Sequence, residues 1–563
     1  MPTTFDIKDL NCYEMNGLFY TKDHVTVHKL FLYNIPELLN ENQLLKLFSQ
    51  IGCVLSVQIY GKFQGIQLSE LPPNALPGYD RWMNCPPKTD LNIGCVLFAS
   101  PRDAAKALTM AHASGIEYGI GILASDSWNQ PQFIEDPQND SEEAYILRIP
   151  DDCLLRIISY LSLTDRLHFQ RTCKRFRAVY ELHTRCLHKS VDFDMFHGLT
   201  LWNIRDFLHL SGPYVVDFSA SSLQRTLRND RIIKYMGRSC MNLTTLNLTD
   251  VGLTARNVNQ IVATANKLVN LTLMRCDLTD DKLMALKDLK NLKKVNLRYN
   301  PLMGYCLVKL SHSIESLDVS YCYKMNTNCL NAMCKILTNL KELHIFNVNI
   351  GFPGKLRCLS LELLRLFLKD ENQCEQIAKL PKLKDLHIGV ISHDNAHTKI
   401  FDYLIIYKSD QLEKLVIYCC EGVTKKMFTQ IAKLTGLKTL ILFFSAYIDD
   451  ADIDELTKLT NLESIALGGC HSITDYSMMR LLLQCPKLQD VHLKKCSKIT
   501  DELVYNIVQE IPRRYKKNER NLPINLYLYD TKIKVQDSSL GSAAQDIIKI
   551  FYKTRSHWDS ELD

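Results

Sequence analysis

The sequence predicts an α/β solenoid, a strand–turn–helix unit repeated through the second half, preceded by a small all-helical module and an α+β domain. Three observations carry this. A leucine frame, L-x-x-L-x-L, recurs at a period mostly in the twenties from about residue 213 onward. The stretch IPDDCLLRIISYLSLTDRLHFQRTCKRF, residues 149–176, crowds apolar residues at helical spacing just before it. Residues 24–126 alternate strand and helix patterns instead.

The bulk properties exclude some classes. The 563 residues are 46% hydrophobic and 23% charged, as in soluble globular proteins. A net charge of +5 over this length argues neither for nor against nucleic acid. MPTTFDIKDLNCYEMNG has no basic stretch followed by an apolar run, and no window is apolar over a bilayer's thickness. The expectation is a cytoplasmic and/or nuclear protein with no membrane partner. Its 20 cysteines should be mostly reduced, and the N-L-T sequons at Asn242, Asn247 and Asn270 silent.

In chain order, HKLFLYNI reads as a strand, ENQLLKLFSQIG as an amphipathic helix ended by glycine, and CVLSVQIY as a second strand. After a Pro-rich loop come the strand NIGCVLFAS, the helix PRDAAKALTMAHASG and a strand near IGILAS. This β-α-β-β-α-β order is ferredoxin-like and resembles an RNA-recognition motif. LFLYNI fits that family's first-strand motif, and the resemblance implies Phe31 as a base-stacking aromatic. The third-strand motif fails. Ile93 and Cys95 stand where two stacking aromatics belong, and Leu91 replaces a basic residue. Stacking contributes about 1–3 kcal/mol per base, so RNA binding is disfavoured and a protein-interaction or structural role preferred. Residues 127–143, SWNQPQFIEDPQNDSEE, are polar and acidic and read as a linker.

Residues 144–190 form the helical module. Pro150 opens a helix with Asp151 and Asp152 in its first turn. Thr164 is the expected cap of the next helix, in which Leu167, Phe169, Cys173, Phe176 and Val179 continue the apolar pattern. About forty residues rarely bury an adequate core alone. The pattern resembles the F-box, L-P-x-E-x-L-L-x-I-F-x-Y-L-x-x-x-D-L followed by C-x-R-F. Here Pro150, Leu154, Leu155, Ile157, Tyr160, Leu161, Asp165, Cys173, Arg175 and Phe176 match. Ile149, Asp152 and Ile158 depart conservatively, and Arg166 stands where the family has leucine. The resemblance implies docking on a Skp adaptor and, through it, on cullin and RING subunits of a ubiquitin ligase. Pro150, Leu154, Leu155, Ile158, Leu161 and Leu167 are the expected adaptor contacts or their immediate support. The alternative is that these helices only cap the first repeat.

Residues 191–535 carry the repeats, from PYVVDF through NLTTLNL, KLVNLTL and NLKELHI to KLQDVHL and PINLYL. Each L-x-L is a short strand. Eight positions after the first frame leucine comes cysteine or asparagine: Cys276, Asn300, Cys322, Cys420, Cys470 and Cys496. Helix caps follow, as in Leu253-Thr254, Leu278-Thr279, Val423-Thr424, Ile473-Thr474, Ile499-Thr500 and Ile448-Asp449. Asp280, Asp475 and Asp501 in the first turn suit the helix dipole. This resembles the cysteine-containing leucine-rich repeat, whose solenoid curves as a horseshoe. The recurring cysteines read as small buried groups rather than metal ligands or disulfides. At the sixth position of neighbouring repeats stand Phe346, Phe367, Gly389, Tyr418 and Phe443. With Ile441 and Val416 beside them they predict an apolar stripe on the inner face. A protein substrate bound at Phe346, Phe367, Tyr418, Ile441 and Phe443 is one reading, and cover by the chain itself is the other. Residues 536–563 are a C-terminal segment.

No phosphate loop, dinucleotide fingerprint or H-E-x-x-H motif occurs, and HTRCLH (His183–His188) lacks a second ligand pair. No cofactor, metal or catalytic residue is expected. The run RRYKKNER (Arg513–Arg520) reads as a solvated loop. The function expected from the resemblance is substrate recognition for a Skp–cullin–F-box ligase. An RNA-binding or plain scaffold protein is the alternative.

Overall fold

The structure is a computed structural model. It describes residues 12–21, 25–62, 91–125, 130–131, 145–222, 227–346, 348, 358–368, 371–389, 396–418, 425–443, 448–516, 519–535 and 540–552. Cys420, the Val423-Thr424 cap, the Pro-rich loop and most of 127–143 lie outside them. The chain divides into two compact units, 1–218 with 225–242, and 219–224 with 243–563.

In the first unit, strands Lys29–Ile35, Val54–Lys62, Asn92–Phe98 and Gly121–Ala124 form an antiparallel sheet. Its spatial order is second, third, first, fourth, the ferredoxin-like arrangement the alternation predicted. Helix Glu41–Ser49 starts with a capping box between Asn40 and Gln43, and helix Pro101–Ala113 with a Ser100 cap followed by proline. Leu30, Leu32, Leu44, Phe48, Val96 and Phe98 are fully buried together. A hairpin, Cys12–Met15 and Leu18–Thr21, adds Cys12 and Phe19 to that core. It turns on Asn16 and Gly17, with φ of 55° and 75°. An Asn-Gly pair between strands is the usual signature of such a turn.

One residue of the expected linker is tied down. Gln130 is 2% exposed. Its Oε1 accepts from the His28 and Lys29 amides at 2.8 Å, and its Nε2 donates to the Lys29 and Ser125 carbonyls at 3.0 and 2.8 Å. The side chain thus satisfies backbone groups of the sheet. The Gln130 carbonyl accepts from Arg205 Nη1 at 3.3 Å, on helix Leu201–Ser211.

In the second unit, short strands from Thr245–Thr249 to Ile548–Phe551 each pair in parallel with the next in sequence. Helices or tight turns return the chain between them, which makes this part a leucine-rich-repeat solenoid. Frame residues stay in register. Leu271 sits beside Leu246, Leu343 beside Leu364, and Leu440 beside Ile465, all at most 2% exposed. Cys276, Cys322, Cys470 and Cys496 are fully buried. Cys276 Sγ lies 3.3 Å from the Leu248 carbonyl and Cys322 Sγ 3.3 Å from that of Leu297. Asn300 fills the same position, its Oδ1 accepting from the Cys276 and Leu278 amides at 3.1 and 3.0 Å. Burial pushes the Cys322 thiol up to about 12, so it remains a neutral donor. Cys334 and Cys358 form a disulfide between neighbouring repeats.

The first-turn aspartates reach beyond their own helices. Asp450 Oδ1 accepts from the Thr474 amide at 2.8 Å, and Asp475 Oδ1 from the Thr500 amide at 2.8 Å. Asp280 takes the Met303, Gly304 and Cys306 amides at 2.7 to 2.9 Å. The run Arg513–Arg520 is also not simply solvated. Arg520 is 6% exposed. Its guanidinium binds the carbonyls of Leu482 and Cys485, at the end of helix Asp475–Gln484, and that of Leu488 just beyond it. A buried cation suits that end because helix carbonyls there lack partners and the dipole is negative.

Candidate functional site

The helical module folds as three helices, Asp151–Tyr160, Leu163–Thr172 and Lys174–Leu187. The chain breaks at Cys173, whose extended backbone (φ −158°, ψ 164°) ends the second helix and whose Sγ accepts from the Phe176 amide. The cap of the second helix is Ser162, whose Oγ accepts from the Asp165 amide, not Thr164 as expected from the sequence.

The matched motif has structural work to do. Arg175 Nη2 donates to the Ile149 carbonyl at 2.5 Å and to Asp151 at 2.9 Å, holding the turn before the first helix. Phe176 stacks on Phe169 with centroids 4.0 Å apart and planes at 7°. Arg166, the mismatch, donates through Nε to the Leu161 carbonyl at 2.8 Å and through Nη2 to that of Ser159 at 3.1 Å. It therefore serves the carbonyl end of the first helix, a role leucine cannot fill.

The six expected adaptor residues separate. Leu154, Ile158 and Leu167 are fully buried inside the chain, so they support the surface and offer no contact. Leu154 and Ile158 lie on one helix face, four residues apart, and point into the module's own core. Pro150 is exposed, and Leu155 and Leu161 are half-buried. The opposite face carries Ile157, 38% exposed, and Tyr160, 74% exposed, with the Arg156 guanidinium 5.2 Å from the Tyr160 ring. Periodicity could have separated these faces, since 153, 157 and 160 are one stripe and 154 and 158 the other.

The chain itself completes part of the core. Arg171 of the second helix donates to Asp206 at 2.7 Å and to Asn203 at 2.8 Å on helix Leu201–Ser211. Thr184 of the third helix lies 2.5 Å from Ser211 Oγ and 2.6 Å from His188 Nδ1. His188 is 4% exposed, and burial, helped by the Arg166 and His183 charges, lowers its pKa to about 4. His183, Thr184 and His188 of HTRCLH are thus core packing, while Arg185, Cys186 and Leu187 are exposed. No cluster of three or more His, Cys, Asp or Glu suited to a metal occurs among the described residues.

The inner-face stripe closes on itself. Ile441 and Val416 are fully buried, and Tyr418 and Phe443 are each 9% exposed. The open stripe expected at Tyr418, Ile441 and Phe443 is therefore a packed cluster. Strands in register set rings at stacking distance: Tyr418 and Phe443 lie 5.4 Å apart at 11°. Gly389 bridges the gap rather than interrupting the stripe. A Cβ there would stand 2.2 Å from the Phe367 ring, which occupies that space. Phe346 meets Phe367 at 4.0 Å and the edge of Tyr418 at 5.1 Å. Phe346 and Phe367 stay half-buried. His387 is fully buried beneath them, with Nδ1 3.3 Å from Tyr418 Oη and Nε2 2.8 Å from the Asp385 carboxylate. Burial lowers its pKa against the opposing pull of Asp385.

Phe31 is 2% exposed, and Ile93 and Cys95 are 0% and 3% exposed. The ring assigned to base stacking by the family pattern is covered, which removes Phe31 as an RNA contact in this structure.

Residues 146–179 match the F-box domain family. The chain thus carries an F-box domain together with a leucine-rich-repeat solenoid. Among known proteins it is similar to Caenorhabditis elegans "Putative RNA-binding protein EEED8.10", 20% identical over 528 residues, 81% of this chain and 70% of that one. It is also similar to Bos taurus "F-box/LRR-repeat protein 4", 29% identical over 103 residues, 18% of this chain and 17% of that one. Among solved structures it aligns with a chain of the yeast Rad7 and Elc1 complex at 12% identity and a TM-score of 0.37, over 73% of this chain and 94% of that one.

Proposed function

We propose that this chain is the substrate-recognition subunit of a Skp–cullin–F-box ubiquitin ligase. The observation that carries the reading is the F-box match at 146–179 combined with an apolar ridge its own fold leaves uncovered. Ile157 and Tyr160 form the ridge, with Pro150 exposed before the helix and Leu161 half-buried after it, and the buried Leu154, Ile158 and Leu167 fix its shape. A groove on the Skp adaptor would bury the ridge as apolar anchors of a helix. The adaptor in turn joins cullin and RING subunits. A target protein would bind the solenoid, with Phe346 and Phe367 as the part of the predicted site still open to it. The chain would contribute proximity, since bond formation belongs to other subunits. Such a complex works in the cytoplasm or nucleus, and no described helix is long and apolar enough to cross a membrane.

The test is co-purification with the Skp adaptor. An Ile157→Ala/Tyr160→Ala variant should lose about tenfold or more in adaptor affinity while keeping its thermal unfolding midpoint. Leu154→Ala should instead unfold the module. A wild-type chain that captures no adaptor would remove the ligase reading.

A second reading, RNA binding, is favoured by the name of the nematode relative, which matches 81% of this chain. The burial of Phe31 argues against the N-terminal sheet as its surface.

A further inference from the structure

Two neighbouring repeats place cysteine where the array elsewhere buries aliphatic side chains. Three residues before the first frame leucine stand Leu337, Leu380 and Leu459, and Cys358 fills that position before Leu361. Six residues before it stand Ile377, Leu456 and Leu482, and Cys334 fills that position before Leu340. All of them are at most 2% exposed. A cysteine alone at such a position is a small hydrophobe. Cys485 shows this. It fills the position of Cys358 before Leu488, and the residue of the preceding repeat that corresponds to Cys334 is Leu456. Its thiol forms no disulfide and lies 3.3 Å from the Leu459 carbonyl, and burial pushes it up to about 12. Where adjacent repeats carry cysteine at both positions, the sulfurs meet. Cys334, on helix Thr327–Ile336, and Cys358 are bonded, with Cα atoms 5.0 Å apart, an ordinary separation for such a pair.

The place of the bond gives it a consequence. It closes the repeat that contains strand Glu342–Ile345 and ends in Phe346, and it enters the next repeat just before strand Leu363–Phe367. Phe346 and Phe367, 4.0 Å apart, are the half-buried end of the inner-face cluster. Linking residues 334 and 358 removes chain freedom from the repeat that carries them. In the cytoplasm or nucleus the thiol pool keeps most cysteines reduced, and disulfides that do form there are mostly transient or redox-sensing.

We propose that Cys334 and Cys358 are a reversible redox site, closed by a small disulfide of the glutathione class and opened by its thiol, which tightens the repeats bearing Phe346 and Phe367. In closing, one cysteine thiolate attacks the small disulfide and expels one thiolate. The other cysteine then attacks the mixed disulfide and expels the second. The pair loses two electrons and two protons, which leave on two small thiols. Neither cysteine is more than 2% exposed, so exchange waits on an opening of the repeat. The reducing compartment and any effect on a target rest on the ligase reading. The bond and its exchange do not, and the experiment uses neither adaptor nor target.

The experiment equilibrates the full chain in mixtures of reduced and oxidised glutathione, alkylates the remaining thiols on denaturation, and measures the peptide linked through Cys334 and Cys358 by mass spectrometry. The linked fraction should rise from below about a tenth in reduced glutathione to above about a half in oxidised glutathione. In amide exchange, strands Glu342–Ile345 and Leu363–Phe367 should be about fivefold better protected in the linked chain. Cys334→Ala and Cys358→Ala should each erase that difference, and the wild-type chain in its two redox states carries the test without them. No linked peptide in oxidised glutathione would overturn the proposal. A bond that survives excess reduced glutathione would overturn it too, as a permanent brace, and so would equal protection in the two states.

Discussion

His188 shows how one buried side chain sets a pH response. It lies between Thr184 and Ser211, and its pKa falls to about 4 from the ordinary 6.5. Between those values the unfolded chain binds a proton that the folded chain refuses. The neutral histidine's contribution is thus complete above about pH 6.5 and is lost as pH falls toward 4. At pH 5 the loss is about 2 kcal/mol. His183, also lowered chiefly by burial, acts in the same direction. Urea unfolding followed from pH 7.5 to 5 should show this decline, and His188→Asn should flatten most of it. An unchanged slope in that variant would mean the histidine is solvated. The same logic of partners explains Arg166. Read alone it breaks the F-box pattern, but two carbonyls at a helix end give it its place.

At the scale of the element, several repeats are fastened to the next by an aspartate in the first helical turn. Asp475 belongs to the first turn of its helix, where any acid would favour the dipole. Its carboxylate also takes the Thr500 amide at 2.8 Å and the Thr500 hydroxyl at 2.5 Å, at the cap of the following helix. Asp475→Ala should destabilise the solenoid by about 1–3 kcal/mol, because the Thr500 amide is left without its acceptor. Asp475→Asn, which keeps an acceptor oxygen, should cost less. Unfolding midpoints and amide exchange at Thr500 would measure both, and equal losses in the two variants would point to charge alone. Outside this ladder, Lys293 and Lys341 flank Glu315 at 3.0 and 2.8 Å, but solvent screens such exposed pairs and they add little to stability.

For the whole molecule, the first unit is where module placement can be argued. Gln130 joins the N-terminal sheet by four hydrogen bonds and accepts from Arg205, whose guanidinium lies 3.6 Å from the Trp202 ring centroid. Helix Leu201–Ser211 also holds the F-box through Arg171. Gln130→Ala should therefore loosen the N-terminal domain without unfolding it. Limited proteolysis should cut between residues 125 and 145 several-fold faster, while adaptor binding stays unchanged. Cleavage at the wild-type rate would show that Gln130 holds nothing.

The sequence by itself determined what repeats or alternates: the leucine frame, the buried cysteine and asparagine positions, the F-box pattern and the ferredoxin-like order of the N-terminal strands. Burial of apolar residues at a fixed period leaves few other folds, so local pattern and tertiary structure agree there. The Asn16-Gly17 hairpin was equally legible and needed only closer reading. Tertiary structure alone decided which apolar residues remain open. Tyr418, Ile441 and Phe443 are covered because rings on adjacent strands meet one another, and Phe31 is covered although its motif position would expose it. Ile157 and Tyr160 remain outside because the helix turns Leu154 and Ile158 inward. Exposure belongs to the neighbours a residue acquires on folding, and a one-dimensional pattern names those neighbours only where the repeat itself supplies them.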